Sequence, residues 1–199
     1  YVAAIMQLGW APMLAAMSVL LEESQDAQVG GNCLRGMVSA IMLLSISGMS
    51  SERDAFVSTL TQFTNLHCHT AREVRQKNLE AIQATMTIAR QAGNFLGDSW
   101  GPVLRCISQL DRLQLVSHGQ RLGGGLAGDR SVHGAGGGGG YDGERSDREA
   151  VDEFNSLRID QEVDSSAIDR IFSASGRLSD EAIVHFVRHL CAVSREELD

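Results

Sequence analysis

Glu181, His185 and His189 follow one another at intervals of four residues. In a helix that spacing puts a carboxylate and two imidazoles on one face. Zinc accepts those ligand types. The order is not the His-Glu-x-x-His of metalloproteases, and no fourth ligand is evident. A solvated polar face is the expected reading, and no metal is assigned. His67-Cys68-His69 is also rich in ligand atoms. Adjacent residues on a loop diverge, so it too is assigned no ion. Gly123-Gly-Gly-Leu-Ala-Gly128 brushes against nucleotide-loop patterns. It follows no strand, opens no helix and has no Gly-Lys-Ser/Thr to go with it, so it reads as linker. No Ser-His-Asp, Cys-His or paired-carboxylate arrangement can be placed from spacing alone. No catalytic residue and no cofactor are expected.

Binding chemistry offers one candidate. Arg72, Arg75 and Lys77 are the densest basic group, with Arg90 further along. Such a group suits acidic lipid head groups or an acidic protein surface. The competing reading is a solvated helix start. Lys77 is the only lysine of the chain. The net charge of −8 and the pI near 5.2 argue against nucleic acid as the main partner. The four cysteines, Cys33, Cys68, Cys106 and Cys191, show no Cys-x-x-Cys spacing. Reduced, buried thiols in a cytosolic protein are expected.

The elements that must position these residues are helical. Trp10, Met13 or Leu14, Met17, and Leu20 or Leu21 fall on one face and predict a helix over 10–24. Pro12 fits there only near the start or at a kink. Residues 1–21 carry no charge, but Gln7, Gly9, Pro12 and Ser18 break the run, and a buried helix is expected rather than a membrane span. Cys33, Met37, Ile41 and Leu44 stripe a second helix over 27–47, which Gly48 can end. Ser51-Glu-Arg-Asp54 reads as a capping box for a helix burying Phe56, Leu60 and Phe63. After a polar connection over 65–72, Leu79, Ile82, Met86 and Ala89 stripe the next helix, ending at Gly93. A helix over 102–116 adds Val103, Ile107, Leu110 and Leu113. Ser166–Asp169 reads as another capping box, with Ile168, Ile171 and Phe172 behind it and Gly176 as the stop. Ser179 caps a helix carrying Ile183, Phe186 or Val187, and Leu190. Ser194–Glu197 reads as a third capping box, opening a further helical unit. No run of four or more residues alternates as a strand would.

The fold class is therefore all-α. Trp10, Pro12 and Leu14 recur as Trp100, Pro102 and Leu104. That echo suggests stacked helical hairpins of the HEAT/armadillo kind, arranged as a solenoid. Between 117 and 165 the composition changes. Glycine dominates 119–143, and 142–164 hold nine Asp/Glu against three Arg. Such a stretch buries little apolar surface to offset its ordering entropy. The expected organisation is a helical-repeat region over 1–116, a disordered Gly-rich and acidic linker over 117–165, and a helical hairpin over 166–199 completing the same solenoid. The start at Tyr1 without an initiator Met suggests a piece of a longer protein.

Several blocks are similar to one family. Trp10-Ala-Pro-Met-Leu-Ala-Ala-Met-Ser-Val-Leu-Leu-Glu-Glu-Ser24 resembles the region just downstream of the catalytic domain in the large Arf guanine-nucleotide exchange factors of the Golgi, the BIG/Sec-seven type. Glu52-Arg-Asp-Ala-Phe-Val57, Lys77-Asn-Leu-Glu-Ala-Ile82 and 93–116 agree, as do Ala167–Phe172 and Ala182–Ser194. Together they cover most of the chain outside 117–165. Met17 stands where the family often has Phe, and His185 where an acidic residue is expected. The resemblance implies an α-solenoid regulatory domain, the first homology region downstream of the exchange domain. It further implies a peripheral location at Golgi and trans-Golgi membranes. The implied partners are GTP-bound Arf, the membrane surface and other domains of the same exchange factor. Binding of activated Arf would give positive feedback on exchange. The glutamate-finger loop, a Phe-Arg-Leu-Pro-Gly-Glu type sequence, does not occur here. No catalytic activity is expected of this chain alone. The alternative is an architectural helical spacer with no partner of its own.

Overall fold

The computed structural model describes residues 2–66, 73–123, 142–164 and 166–198. Eight α-helices occupy them: α1 Val2–Glu23, α2 Ala27–Ile46, α3 Ser50–Phe63, α4 Gln76–Gln91, α5 Trp100–Gly123, α6 Asp142–Glu162, α7 Ser166–Ser175 and α8 Asp180–Glu196. Two short 3-10 turns, Gly93–Phe95 and Gly97–Ser99, lie between α4 and α5. No strand occurs among the described residues, so the chain is all-α.

Through α5, each helix packs on the next and mostly on the next but one: α1 on α2 and α3, α2 on α3 and α4, α3 on α4 and α5, α4 on α5. That nearest-neighbour pattern is what stacked helical pairs produce. α5 then carries α6 and α8, and α7 packs on α4. α2 and α4 run through the middle, which is why their stripes are fully buried: Met37, Ile41 and Leu44 on one, Leu79, Ile82 and Ile88 on the other. Asp26 caps α2 by accepting the Gln28 N–H at 2.8 Å, and Gly48, at φ +69°, follows its end.

Several boundaries differ from the sequence expectation. α1 begins eight residues earlier than its apolar periodicity suggests, because Ala3, Ala4, Met6 and Leu8 are strong helix formers. Pro12 therefore lies inside the helix, not at its start. Its missing N–H leaves the Leu8 carbonyl without an intrahelical donor, at a residue 88% exposed and so open to water. The Trp echo does not mark equivalent positions, since Trp100 opens α5 whereas Trp10 lies well inside α1. α1 is also not the buried helix expected. Only Met6 and Leu21 are fully inside, while Ile5, Leu8, Val19 and Leu20 are exposed. By length and composition alone α1 and α2 would each suffice to cross a membrane, but α2 is a core helix.

At none of the three proposed capping boxes does the first serine stand at the cap position, although α3 and α7 do begin at the first two. α3 begins at Ser50 with Met49 at the cap position, so Ser51 is already inside. Ser194–Glu197 continues α8 to Glu196 and opens no new helix. Before α7 the acceptor is Asp164, whose Oδ1 takes the Ser166 N–H at 2.9 Å and the Ser166 hydroxyl at 2.7 Å. Those bonds and Arg170 hold its carboxyl at about 2.

The acidic stretch is the largest correction. Residues 142–162, expected within a disordered linker, form α6. Asn155, Ile159 and Val163 are buried and Val151 is half-buried, at intervals of four. Asn155 Oδ1 accepts the Val74 N–H at 2.7 Å, and Arg158 Nη1 donates to the Val74 carbonyl at 2.8 Å. α6 thereby fixes the approach to α4. α5 likewise runs past the expected 116 to Gly123. The Gly-rich residues 124–141 and the His67-Cys68-His69 triplet lie outside the described residues.

Candidate functional site

The basic group is split by the fold. Arg72 lies outside the described residues, and Arg75 is exposed just before α4. Lys77, in the first turn of α4, points to the end of α1. Its Nζ donates to the Leu21 carbonyl at 2.9 Å and the Glu22 carbonyl at 2.8 Å. Those carbonyls have no partner within their own helix, and a cation there also meets the negative end of the helix dipole. Asn78 beside it ties α4 to the end of α3, accepting the Arg75 N–H at 2.8 Å and donating to the Phe63 carbonyl at 2.8 Å. Lys77 thus ties α1 to α4. Replacing Lys77 with Met is expected to cost about 1 kcal/mol, the worth of charged hydrogen bonds reduced by partial solvation. A fall in the urea midpoint at unchanged m-value checks it.

The second assembly is centred on the two 3-10 turns. Arg53, on α3, is 8% exposed. Its guanidinium bonds Asp54 Oδ1 at 2.7 Å and donates to the Phe95 carbonyl. The Ser99 hydroxyl donates to the same Asp54 oxygen. The turn is therefore pinned from below. On its outer side, Asn94 Oδ1 accepts the Ser179 N–H at 2.8 Å, holding the approach to α8. Ser179 in turn accepts the Ala182 N–H, as expected of a cap.

Asp98 leaves this turn towards α8. Its Oδ1 lies 3.2 Å from His185 Nδ1 and 3.3 Å from His189 Nε2. A carboxylate only accepts, so each ring presents an N–H to it. The bond from His189 chiefly holds the Asp98 carboxyl below its ordinary value; burial opposes this, and His185 adds to it. Two of the three residues read from the sequence are thus brought together. Glu181, one turn earlier on α8, is exposed and not in the cluster. Asp98 takes its place. It lies 87 residues before His185, and no local spacing signals that contact.

Further along, α8 is held to α5 by Arg105, which bonds both Glu196 carboxylate oxygens at 2.8 Å. Ser108 donates to Glu197. Beside this pair opens a groove of about 600 Å³, lined by residues of α3, α5 and α8 that include Thr61, Cys106 and Val193. The Cys106 thiol is pushed up to about 12 by burial and stays protonated, so the groove offers no thiolate nucleophile.

Comparison with known proteins places the chain. No family model matches it. Over its whole length it is 38% identical to brefeldin A-inhibited guanine nucleotide-exchange protein 1 of Bos taurus and 37% identical to the protein of that name of Homo sapiens. Over 98% of its length it is 34% identical to brefeldin A-inhibited guanine nucleotide-exchange protein 3 of Arabidopsis thaliana. The chain belongs to this family of exchange proteins. It spans only 12–13% of the length of these relatives, so it corresponds to one small region of them.

Proposed function

We propose that this region is a non-catalytic regulatory module of an Arf guanine-nucleotide exchange factor. In this reading it binds GTP-bound Arf and supports recruitment to Golgi membranes, so that the product of exchange promotes further exchange. The observation that carries the reading is full-length similarity to the exchange proteins by a segment about one-eighth of their length. A stack of helices with one layer exposed is suited to binding a folded partner. Outward-facing apolar residues, Ile5 and Leu8 on α1 and Val184 and Val187 on α8, provide contact surface at both ends of the stack.

The test is flotation of the 199-residue chain with liposomes carrying Arf loaded with GTP or with GDP. Flotation with the GTP form alone is the expected result. Reversal of Arg72 and Arg75 to Glu is expected to reduce it, and Lys77 is left in place to keep its tie to α1. Equal flotation with both forms would point to direct lipid binding. Absence of flotation in both cases would favour the architectural spacer.

A further inference from the structure

We propose that Asp98, His185 and His189 form a binding site for a divalent transition-metal ion of the zinc class, linking α8 to the turn before α5. The donor set is two imidazole nitrogens and one carboxylate oxygen, which zinc prefers and which magnesium and calcium, needing oxygen shells, do not. The distances fit. Ligand atoms about 2.0–2.1 Å from a tetrahedral zinc stand about 3.3–3.4 Å from one another. The two His–Asp separations are 3.2 and 3.3 Å. All three ligand atoms lie within 4.8 Å of one another, so closure to that geometry needs movement along the His185–His189 edge alone.

Each ligand is held independently of any ion. His185 and His189 are one turn apart on α8, next to Phe186, which is buried against Trp100. Their side chains are about three-quarters buried, whereas Asp98 is largely exposed, which leaves the fourth position open to water. Asp98 rides on the turn fastened by Arg53, Asp54 and Ser99. Gly101 gives clearance: a Cβ there would come within 3.1 Å of His189 Nδ1. Ion binding replaces two N–H···O bonds by three metal bonds; the proton of each neutral imidazole leaves the ligating nitrogen, Nδ1 of His185 or Nε2 of His189, and the other ring nitrogen takes one up from solvent. The ion competes with protons, and affinity falls as the imidazoles become protonated.

The experiment is calorimetric titration of the 199-residue chain with zinc at neutral pH, against magnesium and against the double variant His185→Gln, His189→Gln. Circular dichroism establishes that the variant keeps its helices. The expected result is one zinc bound per chain, affinity at least about tenfold weaker in the double variant and in Asp98→Asn, and no heat with magnesium. Cobalt in place of zinc gives a spectrum without thiolate-to-metal charge transfer. Equal zinc affinity in the parent and the double variant overturns the proposal. So does a cobalt–thiolate band, which would put the ion on a cysteine.

Discussion

Trp100→Ala is expected to lower the unfolding free energy by about 3–5 kcal/mol, the cost of deleting a large buried aromatic. Trp100 is 1% exposed. Its indole N–H donates to the Gly93 carbonyl at 3.2 Å, and its ring meets Phe186 edge-on with centroids 4.8 Å apart. A Cβ on Gly93 would sit 3.3 Å from the indole, so glycine there lets the ring close over the turn. Trp100 thereby joins three pieces: the end of α4, the start of α5 and the inner face of α8. In a domain of this size the change corresponds to a fall in Tm on the order of 10 °C. Trp100→Phe keeps the ring contact but leaves the Gly93 carbonyl without its donor, at about 1–2 kcal/mol. Urea unfolding of the two variants separates packing from hydrogen bonding. Equal losses would mean that the cavity contributes little. The position bears on function because α8 carries both histidines facing Asp98 and the exposed Val184 and Val187.

The helices legible in the sequence are those whose stripes satisfy local periodicity and central burial together. Leu79, Ile82, Met86 and Ala89 did so, and all four are buried in α4. Met37, Ile41 and Leu44 did so in α2. Cap signals were less informative, because Ser, Asp and Glu also make long-range bonds. Asp54 was read as the far side of a capping box, yet it receives Arg53 and Ser99. Glu196 and Glu197 were read as a helix start, yet they fasten α8 to Arg105 and Ser108. α6 was hidden by averaging. Its acidic residues and the glycines before it dominate any composition window, while Val151, Asn155 and Ile159 recur every four residues within it and Val163 follows at its end. Counting positions rather than composition would have found that stripe.

The candidate site divides in the same way. His185 and His189 are related by helical geometry and could be paired from sequence. Asp98 could not, because a fold of stacked pairs decides which turn faces which helix. In the sequence Lys77 is a candidate for an acidic partner or part of a solvated helix start, but its amine is engaged by the carbonyls of Leu21 and Glu22, some 55 residues earlier. A positive residue two positions before a buried apolar stripe carries no local mark of that role.

Arg53→Ala is expected to cost about 2–3 kcal/mol and to loosen the turn at 93–99 more than any other part of the chain. Removing one partner of a buried ion pair costs roughly 3–5 kcal/mol; the lower figure reflects Asp54, whose carboxylate is partly solvated. The loss has three parts. Asp54 keeps only the Ser99 hydroxyl among the bonds described above, the Phe95 carbonyl loses a charged donor, and the space left by a guanidinium in the core is not refilled. Arg53→Lys is not expected to restore stability, because a single ammonium cannot reach the carboxylate and the carbonyl in the forked geometry. Asp54→Asn removes the charge but keeps an acceptor for Ser99 and is expected to cost less. Hydrogen exchange distinguishes this from uniform destabilisation. The Phe95 and Ser99 amides, bonded to Ala92 and Leu96 within the turns, should lose protection first. Uniform loss across α2 and α4 would mean instead that Arg53 serves the whole core. Because Asp98 and Asn94 ride on this turn, local loosening would also release α8 at its first residues, where Ser179 is held by Asn94. The energetic link between α3 and α8 therefore runs through the turn at 93–99, which no sequence motif announces.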